Sequence, residues 1–241
     1  MTSVMADSTN QATRLDHGLL LALLDSQLES VERRFPDRGL VGVSRQVRET
    51  VARAPELCAR ILRPNLLIRF GVFLLGLAIL TVLVLGMSQL EFRLIDGWAA
   101  LEAFEAAIST SVYLGIAMFF LVSLERRWRR ERVLEALQEL RALSHVLDMH
   151  QMNKDPERLI FTDEESKYDD RPAMTPFLLE RYLDYTADLL SMIGKLAAWY
   201  AQQINDAGVL IAVNEIEQLT GDLSRKIWQK IQIVNQAHQQ Q

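Results

Sequence analysis

One uncharged apolar segment constrains this chain more than any other feature. Residues 70–87 read FGVFLLGLAILTVLVLGM, and the apolar residues 66–68 extend this segment on the other side of Arg69. A helix of about 20 apolar residues is long enough to span the hydrocarbon layer of a bilayer, whereas a core helix of a soluble protein seldom stays apolar for that length. We therefore predict a transmembrane helix over residues 65–88.

A second uncharged segment, residues 106–124, reads AAISTSVYLGIAMFFLVSL. It is less apolar than the first because it contains four hydroxyl residues, namely Ser109, Thr110, Ser111 and Ser123. A hydroxyl group can bond to a carbonyl of its own helix, and small residues such as Gly115 let a neighbouring helix approach closely. We predict that residues 106–124 form a second transmembrane helix, which pairs with the first.

Arginine lies before the first segment and after the second. The arginines before it are Arg53, Arg60, Arg63 and Arg69, and those after the second segment are Arg126, Arg127, Arg129, Arg130 and Arg132. Because basic residues are retained on the cytoplasmic side of short loops, we predict that both termini are cytoplasmic and that residues 89–105 form a short extracytoplasmic loop. The candidates for contact with anionic lipid at the membrane surface are Arg60, Arg63, Arg126, Arg127, Arg129 and Arg130.

The N-terminal part of the chain is predicted to be a polar, disordered tail (1–12) followed by cytoplasmic helices (13–64). The first helix has an apolar face at helical spacing and ends before Phe35-Pro36; this face consists of Leu15, Leu19, Leu23, Leu28 and Val31. A second helix is predicted over residues 44–53. We expect Pro55 to end it and a short basic amphipathic helix to follow over residues 56–63.

The C-terminal part also has helical periodicity, without the alternation typical of strands. Residues 125–152 are predicted to continue the second span as a cytoplasmic helix, with an apolar stripe made of Val133, Leu137, Leu140, Leu143 and Leu147. The stripe needs a partner, either helices of the same chain or another copy. An acidic loop (153–175) and a helical hairpin (176–236) follow. The predicted fold is all-α: a two-helix transmembrane hairpin with a cytoplasmic helical bundle.

Side chains that commonly bind metals are densest where residues 125–152 end. His145 and Asp148 lie three residues apart and share a helix face, so they could hydrogen-bond or bind one cation, with His150 nearby. A further ligand would have to come from elsewhere, for example Asp184 or Asp188. Hydrogen bonding at the helix end, a solvated face or a partner contact explains the same residues without a metal.

Motifs for catalysis or cofactor binding are missing from the sequence. We find no phosphate-binding glycine loop, dinucleotide fingerprint, nucleophile elbow or zinc-binding helix, so we expect no cofactor and no enzymatic activity. The single cysteine, Cys58, excludes an intramolecular disulfide. The arginines at 126–132 lie next to a predicted span, which favours membrane anchoring over nucleic-acid binding.

Two stretches carry a resemblance to known proteins. Residues 144–157 (SHVLDMHQMNKDPE) and 223–231 (LSRKIWQKI) resemble bacterial inner-membrane proteins with two spans, a group with no assigned activity. The resemblance implies a bacterial inner-membrane protein and carries over no functional residue. In layout alone, the chain is also similar to two-span effectors of bacterial conflict systems.

The sequence therefore favours a structural, scaffold or partner-binding function at the bacterial inner membrane. The expected partners are the lipid bilayer and, through the cytoplasmic helices, either further copies of the chain or another protein; no nucleic acid is expected. An oligomeric channel or membrane-permeabilising effector is the alternative, because the second span carries hydroxyl groups. A metal-dependent membrane enzyme built on His145, Asp148 and His150 is a third hypothesis.

Overall fold

The computed structural model describes residues 14–63, 66–92, 97–152 and 174–239. This part of the chain is helical and contains no strand, which confirms the predicted all-α class. Its helices are α1 (His17–Arg34), α2 (Gly39–Leu62), α3 (Leu66–Phe92), α4 (Gly97–Met152), α5 (Pro176–Gln203) and α6 (Ala207–Gln239). The predicted tail and nearly all of the predicted acidic loop lie outside the described residues.

The chain divides into two compact units. Unit 1 comprises Met1–Ala59 and Val133–Gln241, and unit 2 comprises Arg60–Arg132. Unit 1 therefore contains α1, most of α2, the second part of α4, and both α5 and α6. Unit 2 contains α3 and the first part of α4.

Helix α2 continues through Pro55, so the predicted break at this proline is wrong. Proline has no N–H group to donate to the carbonyl four residues earlier, which here belongs to Val51. His17 on α1 provides the missing donor, because its Nε2 lies 2.7 Å from the Val51 carbonyl oxygen. The same imidazole packs against Trp199, with ring centroids 5.4 Å apart. A side chain from another helix thus stabilises α2 at the position where proline would weaken it.

Helix α1 buries Val31 of the predicted face but a different pair of leucines from the predicted one. Leu20 and Leu24 are buried, whereas Leu19 and Leu23 are 61% and 47% exposed. Both pairs of leucines have the spacing of a helix face. Periodicity alone cannot choose between them, and the prediction chose the wrong pair.

Helix α4 is a single helix of 56 residues that covers the second apolar segment and the stripe after it. Every leucine and valine of the stripe is 2% exposed or less. Two contacts within unit 1 lie on this part of α4: Arg53 Nη2 on α2 is 3.1 Å from Glu139, and Arg141 pairs with Glu215 on α6. The partner of the stripe is therefore the same chain, and the stripe is not available to another copy or protein.

Helices α5 and α6 pack against each other in unit 1. The side chain of Thr175 accepts a hydrogen bond from the Leu178 N–H and so caps α5, which begins with Pro176. The two helices come close at Gly194, where a Cβ atom would lie 3.0 Å from Thr220 Oγ1. Helix α5 contributes several of the largest fully buried side chains of the core, among them Tyr182, Leu190, Ile193 and Tyr200.

Candidate functional site

Unit 2 exposes the apolar side chains of its long helices. Two described helices are long and apolar enough to cross a membrane, and in their most apolar 18-residue windows 6% and 0% of the residues are buried. Leu67 on α3 and Phe119 on α4 are 82% and 76% exposed. These exposures are opposite to those of a soluble protein's core helix, which buries its apolar side chains.

Helices α3 and α4 touch at a glycine. A Cβ atom on Gly71 would lie 3.2 Å from Leu121 Cδ2, so the small residue allows the leucine to pack against the α3 backbone. Two hydroxyl groups in the apolar segments bond to their own helices: Thr81 donates to the Leu77 carbonyl and Ser111 to that of Ala107, both at 2.8 Å. Because these hydroxyl groups are hydrogen-bonded within their own helices, they do not need the water of a pore as a partner.

The arginines at the ends of the apolar segments are mostly exposed. The exposed ones are Arg60, Arg63, Arg69, Arg126, Arg127, Arg130 and Arg132. Arg129 is half-buried and forms an ion pair with Glu125 one turn earlier. On a helix, residues 126, 127 and 130 fall within an arc of about 100°. Three guanidinium groups therefore share one exposed face of α4.

The three candidate metal ligands at the end of α4 have different surroundings. His145 is exposed, whereas Asp148 and His150 are half-buried. Asp148 Oδ1 accepts a hydrogen bond from Gln151 Nε2 at 2.6 Å. The His150 ring lies against the first residue of α2, because a Cβ atom on Gly39 would be only 2.5 Å from its Cε1. The contacts of Asp148 and His150 are thus with Gln151 and the α2 backbone.

The last carbonyl groups of α4 accept hydrogen bonds from neighbouring helices. The Tyr182 hydroxyl on α5 donates to the His150 carbonyl at 3.5 Å, and Lys230 Nζ on α6 donates to that of Gln151 at 3.3 Å. Carbonyls in the last turn of a helix lack partners within the helix, and a cation is favourable there. Tyr182 and Lys230 therefore cap the C-terminal end of α4.

The described residues contain no group of three or more His, Cys, Asp and Glu side chains that could hold a metal ion. Asp184 lies 3.3 Å from Arg181, and burial raises the pKa values of both Asp184 and Asp188. Neither aspartate completes a ligand set with His145, Asp148 and His150. The hypothesis of a metal-dependent enzyme therefore gains no support from these side chains.

Cys58 is buried, and burial raises the pKa of its thiol. A thiol is a weak nucleophile in its protonated form. Tyr200 is 1% exposed, and burial raises its pKa in the same way. Both groups are therefore suited to packing rather than to catalysis.

The sequence interpretation missed three residues that contact the end of α4. Gly39, Tyr182 and Lys230 contact this end from α2, α5 and α6, and no local pattern in the sequence marks them. Comparison with known proteins does not add a functional residue. No family model, curated protein or solved structure matches this chain.

Proposed function

We propose that this chain is an integral protein of a bacterial inner membrane. In this proposal α3 and the first part of α4 cross the bilayer as a hairpin, and unit 1 is a cytoplasmic helical bundle. The observation that carries the proposal is the exposure of the apolar side chains over both 18-residue windows. Apolar surface in water costs about 25 cal/mol per Å² relative to an apolar environment, so a bilayer is the favourable surrounding for these helices.

The contact between Gly71 and Leu121 supports an antiparallel hairpin. From this contact α3 rises about 32 Å to Phe92, and α4 rises about 36 Å from Gly97 to Leu121. If the two helices were parallel, Phe92 and Gly97 would be roughly 68 Å apart, but the chain between them spans at most about 18 Å. An antiparallel hairpin is compatible with both the contact and the connection, which supports this part of the proposal.

The antiparallel hairpin also explains the arginine distribution. Eight of the nine arginines in residues 60–132 precede Gly71 or follow Leu121, so all eight belong to one end of the hairpin. Short loops rich in arginine stay in the cytoplasm. We therefore propose that this end, and both termini, are cytoplasmic.

Labelling of single cysteines tests this topology. In a Cys58→Ser background, we would introduce Gln89→Cys near the predicted outer loop and Gln218→Cys at an exposed position of α6. In intact spheroplasts, a membrane-impermeant maleimide should label position 89 alone, and position 218 should react only after permeabilisation. Labelling of both positions before permeabilisation, or extraction of the protein by alkaline carbonate, would contradict the proposal.

We further propose that the protein is a scaffold that assembles with other copies through α1. Leu19 and Leu23 are exposed one turn apart on this helix, and residues 22, 26 and 30 on the same side are Ala, Ser and Ser. A strip without charges can pack against a second copy of itself, as a symmetric dimer requires. This strip replaces the buried stripe of α4 as the candidate surface for assembly.

The native mass of the protein in mild detergent tests the assembly. We expect a dimer for the natural sequence and a monomer for the Leu19→Gln/Leu23→Gln variant. The Leu210→Gln/Ile211→Gln variant is the matched control, since these two residues are also exposed and apolar but lie on α6. A monomeric natural protein would rule out self-assembly, and a ring of several copies would direct attention to conductance measurements.

A further inference from the structure

We propose that the arginine end of unit 2 retains anionic phospholipids as bound ligands. We define this arginine end as Arg63, Arg69, Arg126, Arg127 and Arg130. The inference rests on the proposed membrane insertion and adds a ligand class to it, the phosphate group of an anionic lipid. A bilayer surface attracts any basic segment, whereas the arginine end holds individual headgroups.

The guanidinium groups of the arginine end are accessible to a ligand. All five residues are exposed. The neighbouring Glu125 forms an ion pair with Arg129, which is outside the arginine end. Arginine donates two parallel hydrogen bonds to a phosphate, and several arginines together give a strong site for an anion.

The two groups of arginines lie at the same level of the antiparallel hairpin. Arg69 is two residues from Gly71 and Arg126 is five residues from Leu121, which corresponds to axial distances of about 3 Å and 8 Å from the contact. The side chains point to opposite sides of the hairpin, because Arg69 lies about 160° around α3 from Gly71, and Arg126 and Arg130 lie about 140° and 180° around α4 from Leu121. A headgroup therefore meets the arginines of one helix, and on α4 these are Arg126, Arg127 and Arg130.

The surface beside the arginine end suits the acyl chains of a lipid. On α4, Phe119 shares a face with Arg126 and Arg130, seven and eleven residues before them, and is 76% exposed. On α3, Leu66, Leu67 and Phe70 lie next to Arg69 and are 77%, 82% and 61% exposed. A phospholipid presents a phosphate and apolar chains at adjacent positions, so it uses both kinds of surface. A nucleic acid would use only the arginines. The observations therefore favour a lipid.

Native mass spectrometry of the full-length protein tests the inference. The protein would be extracted in mild detergent from vesicles of equal phosphatidylglycerol and phosphatidylcholine, and the retained lipids would be counted. We expect the natural protein to retain phosphatidylglycerol at least about fivefold more than phosphatidylcholine, because each basic residue adds to the attraction. The Arg126→Gln/Arg127→Gln/Arg130→Gln variant should lose this preference.

Two control variants separate a headgroup site from a general effect of charge. Arg33→Gln/Arg181→Gln/Arg225→Gln removes the same charge from exposed arginines of unit 1 and should keep the preference. Replacing Arg126, Arg127 and Arg130 by lysine should keep part of it. Equal retention of the two lipids by the natural protein would overturn the inference. An equal loss of the preference for phosphatidylglycerol in both glutamine variants would also overturn it.

Further outcomes distinguish a bound lipid from free phosphate or nucleic acid. They also separate this inference from the proposed membrane insertion. Displacement of the retained lipid by excess inorganic phosphate would identify a free phosphate site, and a nuclease-sensitive bound mass would identify a nucleic acid; either result would overturn the lipid assignment. Resistance to alkaline carbonate is measured for every variant in parallel. A protein that resists carbonate without preferring the anionic lipid disproves this inference alone, whereas extraction disproves membrane insertion itself.

Discussion

At the scale of single residues, His17 compensates for the missing N–H group of Pro55. We expect His17→Phe to lower the free energy of unfolding by about 1–3 kcal/mol, because the Val51 carbonyl would lose its donor while the ring contact with Trp199 could persist. The cost should be much smaller in a Pro55→Ala background, where residue 55 again has an N–H group. The free energies of unfolding are measured with denaturant in detergent. If His17→Phe lowers this free energy equally in both backgrounds, the explanation is refuted.

Asp188 is predicted to make stability depend on pH. Burial raises its pKa, the Asp184 carboxylate four residues earlier raises it further, and Lys195 partly opposes both effects. A carboxyl group whose pKa is higher in the folded state binds its proton more tightly there, so it stabilises the fold as pH falls through this range and destabilises it at neutral pH.

Replacing Asp188 by asparagine should therefore raise the free energy of unfolding at neutral pH. We expect a gain of about 0.3 kcal/mol, the usual size of an i,i+4 repulsion on a solvent-accessible helix face. The gain should vanish below about pH 3.5, where the aspartate is protonated in both states. Asp222→Asn removes a carboxylate that pairs with Arg225 and should bring no gain. A gain that is independent of pH would contradict the titration argument.

At the scale of helices, the approach of α5 to α6 depends on Gly194. We expect Gly194→Ala to destabilise the protein by about 1–3 kcal/mol, because its Cβ would crowd Thr220 Oγ1. Thr220→Ala removes this oxygen, so the double variant should regain most of the loss. A double-mutant cycle in thermal unfolding measures the coupling; additive losses would show that the two positions do not crowd each other.

The cap at the end of α4 predicts a local effect. Lys230→Met should speed amide hydrogen exchange in the last turn of α4, because the Gln151 carbonyl loses its cationic donor. Lys226→Met is the matched control: it lies one turn earlier on the same helix and is exposed. We expect exchange in α4 to be unchanged in this control. Equal exchange rates in the two variants would argue against the cap.

The sequence predicted helices better than their contacts. The lengths of the apolar segments, the continuous pattern of α4 and the start of the helical hairpin at residue 176 were predicted from local signals, and the structure contains each of these helices. The choice between Leu19 and Leu20 on α1, and the continuation of α2 through Pro55, depend on other helices. The cap formed by Tyr182 and Lys230 escaped prediction for the same reason.

At the scale of the whole molecule, unit 1 is assembled from two separate parts of the sequence. Arg53 bonds to Glu139 across 86 positions, and the Leu15 N–H bonds to Gln202 across 187. During synthesis, α1 and α2 precede the helices that cover them. At about 5–20 residues per second, roughly 7–28 s pass between the ends of α2 and α5.

During this interval the apolar faces of α1 and α2 can be buried only against each other. The ion pairs Arg45–Glu32 and Arg48–Asp25 join the two helices and can form as soon as both exist. The chain between Arg60 and Arg132 is meanwhile made and must leave the ribosome before the first half of unit 1 meets its second half. Because of this order, the nascent chain exposes part of these apolar faces until α5 has been made. A chaperone that covers apolar helices would protect the chain from aggregation during this time.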